Sequence, residues 1–503
     1  MLEGNNLDTL ASYKAHLQEM NMLTSALALL SWDQETHMPS RGIAARSQVT
    51  GNFSKKLFEL SIASELGEYL EALGKDDSLT IEERASVRDM AKAYHRQKAI
   101  PPAMIEEQAI TQSQAQAAWV EARKKSDFTV FQPLLTKMVD FARRFADYYG
   151  YEEHPYDGLL EGFEPGMTVK KLQGIIDPLR EQLVPFLKRL TTEGTAPDTT
   201  VIEGSFDTAR QLEVARVALD LIGYDFDAGA LDIVAHPFST AIAFDDVRVT
   251  NRYLEDHITS GLFGALHEGG HGLYNQGMPE NLYNLRLSGG SSNGIHESQS
   301  RMIENQLGRS LPFWKYFQPL LAKIFPQFRD VSPEALYRAV NVVAPSFIRV
   351  EADEVTYNLH IMLRAELEAE LIAGEIQVAD LPARWNDAME RYLGIIPTND
   401  AVGVLQDVHW SVGYYGYFPS YMFGNLYASQ MATTIRQDLP DLDERIAAGD
   451  IHVLIDWIKT HVHQHGAVYQ PDELMNRITG EPLDSSHFVR YVESKYSEIY
   501  GLA

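Results

Sequence analysis

The 503-residue sequence contains no cysteine. Disulfide bonds, thiolate nucleophiles and cysteine-ligated metal sites are therefore excluded, and histidine, aspartate and glutamate remain as strong metal ligands. Basic residues are also scarce, because 43 Lys and Arg stand against 70 Asp and Glu, for a formal net charge of −27. Proteins that bind nucleic acid need a positive surface for the phosphates, so the composition argues against that class of partner.

Long apolar segments are lacking as well. The sequence has no run of about 18 uninterrupted apolar residues, and we therefore expect no membrane span. The first residues, MLEGNNLDTLASYKAHLQ, do not combine a basic region with a following apolar one, which predicts that there is no signal peptide. A cytoplasmic location is then the default expectation.

Apolar residues recur at spacings of three and four through the first 225 residues, and this period predicts one helix after another. Thr80 and Glu83 form the pattern of a capping box ahead of one of these helices. Further helical patterns cover about 168–192 and 207–222. This part of the chain is expected to be a helical body.

The pattern changes after residue 225. The segments STAIAF and VRVT alternate and are rich in β-favouring residues, so they predict a short hairpin that turns at Asp245 and Asp246. Helical patterns return from about residue 332. Since no linker or repeat divides the chain, we expect one mainly α-helical catalytic domain over 1–503, with a helical N-terminal part (1–225) and a site-bearing part (226–503) that holds a small β-sheet.

The segment HEGGH contains His267, Glu268 and His271 in the His-Glu-x-x-His pattern of a zinc-peptidase helix. Residues i and i+4 of a helix point the same way, so the two histidines can bind one ion, while Glu268 lies about 100° further round. Gly269 and Gly270 weaken such a helix by roughly 2 kcal/mol in total. Their presence predicts that another backbone, from a neighbouring helix or the HES segment, approaches closely there.

A catalytic zinc site needs a third protein ligand. Glu297 is the candidate, in SNGIHES, on a helix that Ser292 or Asn293 would cap. Glu304 is the competing ligand. His296 is adjacent to Glu297 but is expected to point to a different side of the helix. It would then be a surface residue or a residue that supports a metal ligand.

Seven ordered blocks give the chain a specific resemblance to the metallocarboxypeptidases of the carboxypeptidase Taq family. They are SWDQETHMPSRG (31–42), HPF (236–238), DVRVT (246–250), HEGGH (267–271), HES (296–298), IRVEAD (348–353) and GVLQDVHW (403–410). The resemblance implies a large helical, two-lobed body around a deep groove, similar in shape to neurolysin and angiotensin-converting enzyme. It also implies a homodimer that removes single residues from peptide C-termini with broad side-chain tolerance.

Residue by residue, the resemblance implies His267, His271 and Glu297 as ligands of one divalent ion, with Glu268 as general base. Zinc is favoured, with cobalt or manganese as alternatives. Related zinc peptidases often have an aspartate four residues after the ligand glutamate. Arg301 occupies that position here, so the support of the ligands must be built differently.

A carboxypeptidase must bind the free C-terminal carboxylate, which an arginine does through a bidentate fork. Arg349 is the first candidate and Arg248 the second. The alternative for Arg349 is an ion pair with Glu351 or Asp353, and the alternative for Arg248 is a pair with Asp246. His236 is expected either to contact substrate near the hairpin or to serve as a core or capping residue.

His409 and Tyr421 are candidates to stabilise the oxyanion, and spacing does not separate Tyr421 from Tyr417. Packing is the alternative role for these aromatic residues. Residues 31–42 are expected to help wall the groove. The histidines of HVHQHG diverge if they are helical, which argues against a metal site at 461–466.

Two other functions fit parts of the sequence. An endo-acting zinc oligopeptidase would use the same chemistry without a carboxylate clamp. A non-catalytic helical protein with a structural metal ion, or with none, would have no need of Glu268. Peptides with a free C-terminus are the expected substrates.

Overall fold

A computed structural model describes the backbone of residues 2–502 and the side chains of residues 8–502, and within that range the chain is mainly helical. The helices are α1 (Leu2–Thr36), α2 (Ile43–Ser61), α3 (Ser64–Leu73), α4 (Ile81–Ala99), α5 (Pro102–Lys125), α6 (Gln132–Tyr149), α7 (Pro155–Leu160), α8 (Val169–Glu193), α9 (Thr208–Leu221), α10 (Ile258–Gln276), α11 (Glu280–Asn284), α12 (Asn293–Arg301), α13 (Leu311–Ile324), α14 (Pro333–Ala339), α15 (Tyr357–Ala373), α16 (Leu381–Leu393), α17 (Phe418–Asp438), α18 (Leu442–Ala447), α19 (His452–His461), α20 (Pro471–Thr479) and α21 (Ser486–Tyr500). The predicted mainly α fold is confirmed.

The small sheet has three strands, β1 (Leu231–Ile233), β2 (Ser239–Ala243) and β3 (Asp246–Asn251), in the order β1-β3-β2. Strands β2 and β3 form the predicted antiparallel hairpin, with Ser239 opposite Val249. The turn is one residue earlier than expected, because Asp245 takes a positive φ of 58° and Asp246 already begins β3. Strand β1 pairs in parallel with β3 and was not predicted from its three residues.

Local signals in the sequence set several helix ends. Thr80 and Glu83 form the predicted capping box at the start of α4, each side chain bonded to the other residue's backbone N–H. Ser292 caps α12, since its Oγ accepts a hydrogen bond from the backbone N–H of Ile295. These caps satisfy N–H groups that have no partner within the helix.

Apolar side chains form two buried clusters. The larger one draws its residues from Met104 to Tyr500 and includes buried side chains of α10. The smaller one joins α1, α3 and α4 to residues 282–287. Among residues 2–502, no helix has both the length and the apolar character needed to cross a membrane.

Helix α10 lies at the centre of the larger cluster, in contact with α9, α12 and the sheet. Its apolar side chains Leu262, Phe263, Leu266 and Leu273 are all buried. Burial of such side chains stabilises by about 1.5–3 kcal/mol each, which holds the helix in place despite its glycines. The HEGGH segment is therefore part of a rigid, packed helix.

Candidate metal centre

Helices α10 and α12 bring three potential metal ligands together. Nε2 of His271 lies 3.3 Å from Oε2 of Glu297, and Nε2 of His267 lies 3.7 Å from the same oxygen. Ligand atoms about 2.1 Å from a tetrahedral ion are about 3.4 Å apart, so this spacing fits one zinc-sized ion. Together His267, His271 and Glu297 form a group whose donor atoms all lie within 4.8 Å of one another.

The glycines of HEGGH allow α12 to approach α10. A methyl group on Gly270 would lie 2.6 Å from the carbonyl oxygen of Gln299 and 2.7 Å from Cα of Ser300, both in α12. On Gly269 it would meet the side chains of Leu219, in α9, and of Ile222, directly after it. The predicted close approach of the HES segment is confirmed at Gly270, whereas the neighbour of Gly269 is a side-chain surface.

Glu304 supports His267 from the side opposite the ligand group. Its Oε2 lies 2.9 Å from Nδ1 of His267, and Nη1 of Arg301 donates to the same oxygen at 3.2 Å. Arg301 also donates through Nε to Oε1 of Glu297 at 2.7 Å. Glu304 lies in a π-helical stretch, Met302–Gly308, that continues α12, a distortion often found at functional sites.

His271 has its own support. Its Nδ1 lies 2.7 Å from Nδ1 of His296, and Nε2 of His296 lies 3.2 Å from Oδ1 of Asn275. Burial, aided by the neighbouring His271, lowers the pKa of His296 to about 3, so that ring is neutral at pH 7. With Nε2 of His271 toward the ligand group, its Nδ1–H donates to His296, whose Nε2–H donates to Asn275.

The pKa values of Glu297 and Glu268 are shifted in opposite directions. Burial alone would raise the pKa of Glu297, but Arg301 and the two imidazoles outweigh it and hold that pKa well below its usual range. Glu297 is thus ionised at physiological pH. Burial raises the pKa of Glu268, and the imidazoles of His267 and His271 oppose that rise only in part. A glutamate in this state is suited to take and return a proton.

Helix α17 forms the wall that faces Glu297. A Cβ on Gly424 would overlap the Glu297 side chain, so this face of α17 lies against the ligand group. Tyr421 and Tyr417 precede Gly424 by three and seven residues and therefore share its face. His409, on the preceding loop, places Nε2 3.2 Å from the Tyr421 hydroxyl. Polar groups thus stand opposite the glutamate ligand.

Arg349 packs against Tyr421, with its guanidinium 4.7 Å from the centre of that ring. It is buried and pairs with Asp407, at 3.0 Å from both Nε and Nη2, while Nη1 donates to the Tyr357 hydroxyl at 2.9 Å. The alternative expected an ion pair with Glu351 or Asp353, whereas the partner in the structure is Asp407. Two of the five guanidinium N–H groups are left for a further acceptor.

Comparison with known proteins identifies the family. The profile described as carboxypeptidase Taq (M32) metallopeptidase matches residues 12–496. The chain belongs to this family. Carboxypeptidase 1 of Bacillus subtilis (strain 168) is 41% identical over 488 residues, which cover 97% of each chain. Thermostable carboxypeptidase 1 of Thermus thermophilus is 39% identical over 498 residues, covering 96% of this chain and 97% of the relative.

The fold agrees with solved structures of the family. The crystal structure of the M32 carboxypeptidase from Deinococcus radiodurans R1 superposes with a TM-score of 0.95 at 35% identity, covering 98% of this chain and all of that one. As a member of the family, the chain is a peptide hydrolase, and its metallopeptidase class implies a divalent metal ion. The resemblance seen in the sequence blocks is confirmed.

The remaining predicted residues lie near the sheet. Arg248 forms a two-point pair with Asp246, at 2.7 and 2.9 Å, which is the alternative arrangement expected for it. His236 is exposed in the loop between β1 and β2. Trp32 of the 31–42 segment is buried, with its ring 5.5 Å from Phe238. That segment is therefore packed on the sheet, and its role as a groove wall stays a prediction.

Sequence reasoning missed several residues that hold the centre together. His463 was recognised only as an improbable metal ligand, yet its Nε2 lies 3.1 Å from Oε1 of Gln299 in α12. Glu164 accepts a hydrogen bond from the Gly294 backbone N–H at 2.6 Å, at the start of the same helix. Both contacts link residues more than 100 positions apart, so no local pattern marks them. Only the three-dimensional arrangement reveals these supports.

Proposed function

We propose that the protein removes single C-terminal residues from peptides with broad side-chain tolerance, using one divalent ion held by His267, His271 and Glu297. The observation that carries this proposal is the convergence of these three side chains, next to Glu268 on the same helix. Two histidines and a glutamate, with a further position open, are a ligand set typical of catalytic zinc. Zinc is accordingly the proposed ion, ahead of cobalt and manganese.

Glu268 is the proposed general base. When bound, the ion supplies Lewis acidity toward a water molecule and toward the scissile carbonyl. Glu268 follows His267 by one residue and lies round the helix from the two ligands, where its carboxylate can take a proton from the attacking water. The same carboxyl group then returns the proton to the leaving amine. Burial raises its pKa, which makes the carboxylate a stronger base.

His409 and Tyr421 are the proposed donors to the oxyanion. They stand on the wall that faces Glu297, and they are already within hydrogen-bond distance of each other. Burial lowers the pKa of His409 to about 4, so its ring is neutral at pH 7 and can present an N–H. Donors held in place before the reaction need no reorganisation when negative charge develops on the carbonyl oxygen.

Arg349 is the proposed clamp for the substrate carboxylate, with Arg248 and His236 as further substrate-binding candidates. Asp407 and Tyr357 hold the Arg349 guanidinium, and the two N–H groups that they leave can bind a carboxylate. Arg248 makes a similar two-point pair, with Asp246, and remains the second candidate. A clamp of this kind is what separates a carboxypeptidase from an endopeptidase.

A homodimer in the cytoplasm is also proposed. The dimer rests on the family resemblance, and the location is the default expectation given above. Sedimentation equilibrium of the purified protein, with a mass of 56.6 kDa per chain, tests the first, and fractionation of the source cells tests the second.

The direct test uses an N-blocked tripeptide in two forms, one with a free C-terminal carboxylate and one amidated. We expect release of the C-terminal residue from the free acid. The amidated peptide should be cleaved about 10- to 100-fold more slowly, which corresponds to the loss of a hydrogen bond to a charged group. Arg349→Gln should reduce this difference, whereas Arg248→Gln should leave most of it. Equal cleavage of both forms by the wild type would contradict the carboxypeptidase and favour the endo-oligopeptidase.

A further inference from the structure

A buried carboxylate outside the metal centre has three hydrogen-bond donors, none of them from its own helix. Glu368, in α15, is completely buried. Its Oε2 accepts from the Tyr156 hydroxyl at 2.5 Å and from the Gly416 backbone N–H at 2.9 Å. Its Oε1 accepts from Nε1 of Trp410 at 2.7 Å. One side chain therefore ties together α7, α15 and the loop ahead of α17.

A carboxylate in this position is costly for stability. Burial raises the pKa of Glu368 to about 7, against the effect of its three hydrogen bonds. Apolar side chains of similar volume often stabilise a core as well as or better than buried charged groups. All three partners are donors, so what the carboxylate provides is a fixed position for each of them.

Two of the three donors lie close in the sequence to the residues proposed to act on the oxyanion. Trp410 directly follows His409, and Gly416 lies two residues before α17, the helix that carries Tyr421. The loop between Gly403 and Tyr417 has only one short 3-10 turn, His409–Val412, as regular structure. Its position is therefore set by contacts with its surroundings.

Helix α15 provides a second anchor for the same loop, one turn before Glu368. Nε of Arg364 donates to Oδ2 of Asp407 at 2.7 Å. Residues i and i+4 lie on one face of a helix, so Arg364 and Glu368 both contact the loop from the same face of α15. On the far side, a Cβ on Gly416 would lie 2.9 Å from the carbonyl carbon of Leu159, which leaves the loop no room to move toward α7.

We propose that Glu368 is a positioning residue, which holds His409 and the start of α17 so that His409 and Tyr421 face the substrate carbonyl. Glu368 itself does not touch the substrate. The proposal rests on the proposed function, since it assigns to Glu368 the placement of that function's oxyanion donors.

The test is Glu368→Gln, which keeps the size of the side chain but replaces one acceptor oxygen by an NH2 group facing donors. We expect kcat for the free-acid tripeptide to fall at least about tenfold while KM stays within about twofold, because the donors act on the transition state. In a His409→Phe background the same substitution should lower kcat by a smaller factor, since one of the two groups that it positions is gone.

Glu366→Gln is the matched control. Glu366 lies two residues earlier in α15, is partly buried, and also accepts from a tyrosine hydroxyl, that of Tyr392, and from Arg180. It has no such contact with the loop, so its substitution should leave kcat unchanged. Tyr156→Phe, which removes one donor to Glu368 from outside the loop, is the milder variant and should lower kcat by a smaller factor.

The outcomes separate the two proposals. Absence of peptide hydrolysis by the wild type would overturn the proposed function and this inference with it. Hydrolysis that Glu368→Gln leaves unchanged, or lowers by the same factor with and without His409→Phe, would overturn the positioning role alone. If Glu368→Gln does not fold, as judged by its thermal transition, Tyr156→Phe becomes the test. Full activity of Tyr156→Phe would then overturn the positioning role of Glu368.

Discussion

Oε2 of Glu304 lies 2.9 Å from Nδ1 of His267, at the ring nitrogen that does not face Glu297. A carboxylate in this position fixes the ring orientation and makes the opposite nitrogen a stronger donor to a metal ion. Glu304 was weighed as a ligand on the basis of the sequence. In the structure it is bonded to Nδ1 of His267, outside the group formed by His267, His271 and Glu297.

The first prediction concerns metal affinity. Glu304→Ala should weaken metal binding by about 10- to 100-fold, and Glu304→Gln by less, because the amide oxygen still accepts from Nδ1–H. Competition with a chelator of known affinity measures the change. Glu334→Gln, at an exposed position of α14, is the control and should bind metal like the wild type. Unchanged affinity in Glu304→Ala would contradict a supporting role.

The second prediction concerns the pH dependence of the metal-free protein. Burial would raise the pKa of Glu304, but Arg301 and His267 outweigh it and lower that pKa from 4.5 to about 2. A depressed carboxylate pKa stabilises the folded state above about pH 4.5, and this contribution is lost as pH falls toward 2. One pKa unit corresponds to roughly 1.4 kcal/mol. The difference in the free energy of unfolding between wild type and Glu304→Gln should therefore shrink by about 2 kcal/mol between pH 7 and pH 3.

Urea unfolding at the two pH values measures this difference in the chelated proteins. A difference that stays constant from pH 7 to pH 3 would show that Glu304 titrates normally in the folded state.

The third prediction uses the helix glycines. Gly270→Ala should destabilise the protein by about 1–3 kcal/mol, because the added methyl group meets the α12 backbone and pushes it away. Gly174→Ala is the counterpart, in the interior of α8, where a methyl group meets nothing within 4 Å. It should stabilise by up to about 1 kcal/mol through helix propensity alone. Thermal unfolding compares the two, and equal effects would argue against a tight contact at Gly270.

The fourth prediction separates the two tyrosines of α17. Tyr421→Phe should lower kcat by about 10²- to 10³-fold with little change in KM, as expected when a donor to the oxyanion is lost. Tyr417→Phe should have a smaller effect, since the Tyr421 hydroxyl is the one bonded to His409. Tyr414→Phe, at a half-exposed position, serves as control. A larger loss of kcat in Tyr417→Phe than in Tyr421→Phe would show that Tyr417 is the donor to the oxyanion.

Those features that depend on neighbours in the sequence were predictable. The His-Glu-x-x-His helix follows from an i, i+4 spacing, the capping box of α4 from Thr80 and Glu83, and the close approach at Gly270 from the lack of a side chain. Glu297 was the candidate third ligand from its place near the start of a predicted helix, with Glu304 as the competitor, and the family resemblance favoured Glu297.

Features that depend on distant contacts were not predictable. Strand β1 has only three residues and is a strand because β3 offers it a parallel partner. The π-helical stretch after Arg301 has no local signature, and it sets where Glu304 points. Asp407 takes its partners from two segments more than 40 residues away, and Glu368 takes one from a helix 212 residues away. The sequence predicted that His267, His271 and Glu297 converge, but not the residues that hold them in place.

The measurement that tests the central claim most directly pairs metal content per chain with the rate at which the C-terminal residue is released from an N-blocked dipeptide. The wild type should bind one catalytic ion, lose activity on chelation and regain it on addition of zinc. Glu268→Gln should retain the ion but lose about 10²- to 10⁴-fold in rate, because only the proton transfer is removed. Full activity in Glu268→Gln, or in the chelated wild type, would contradict the account.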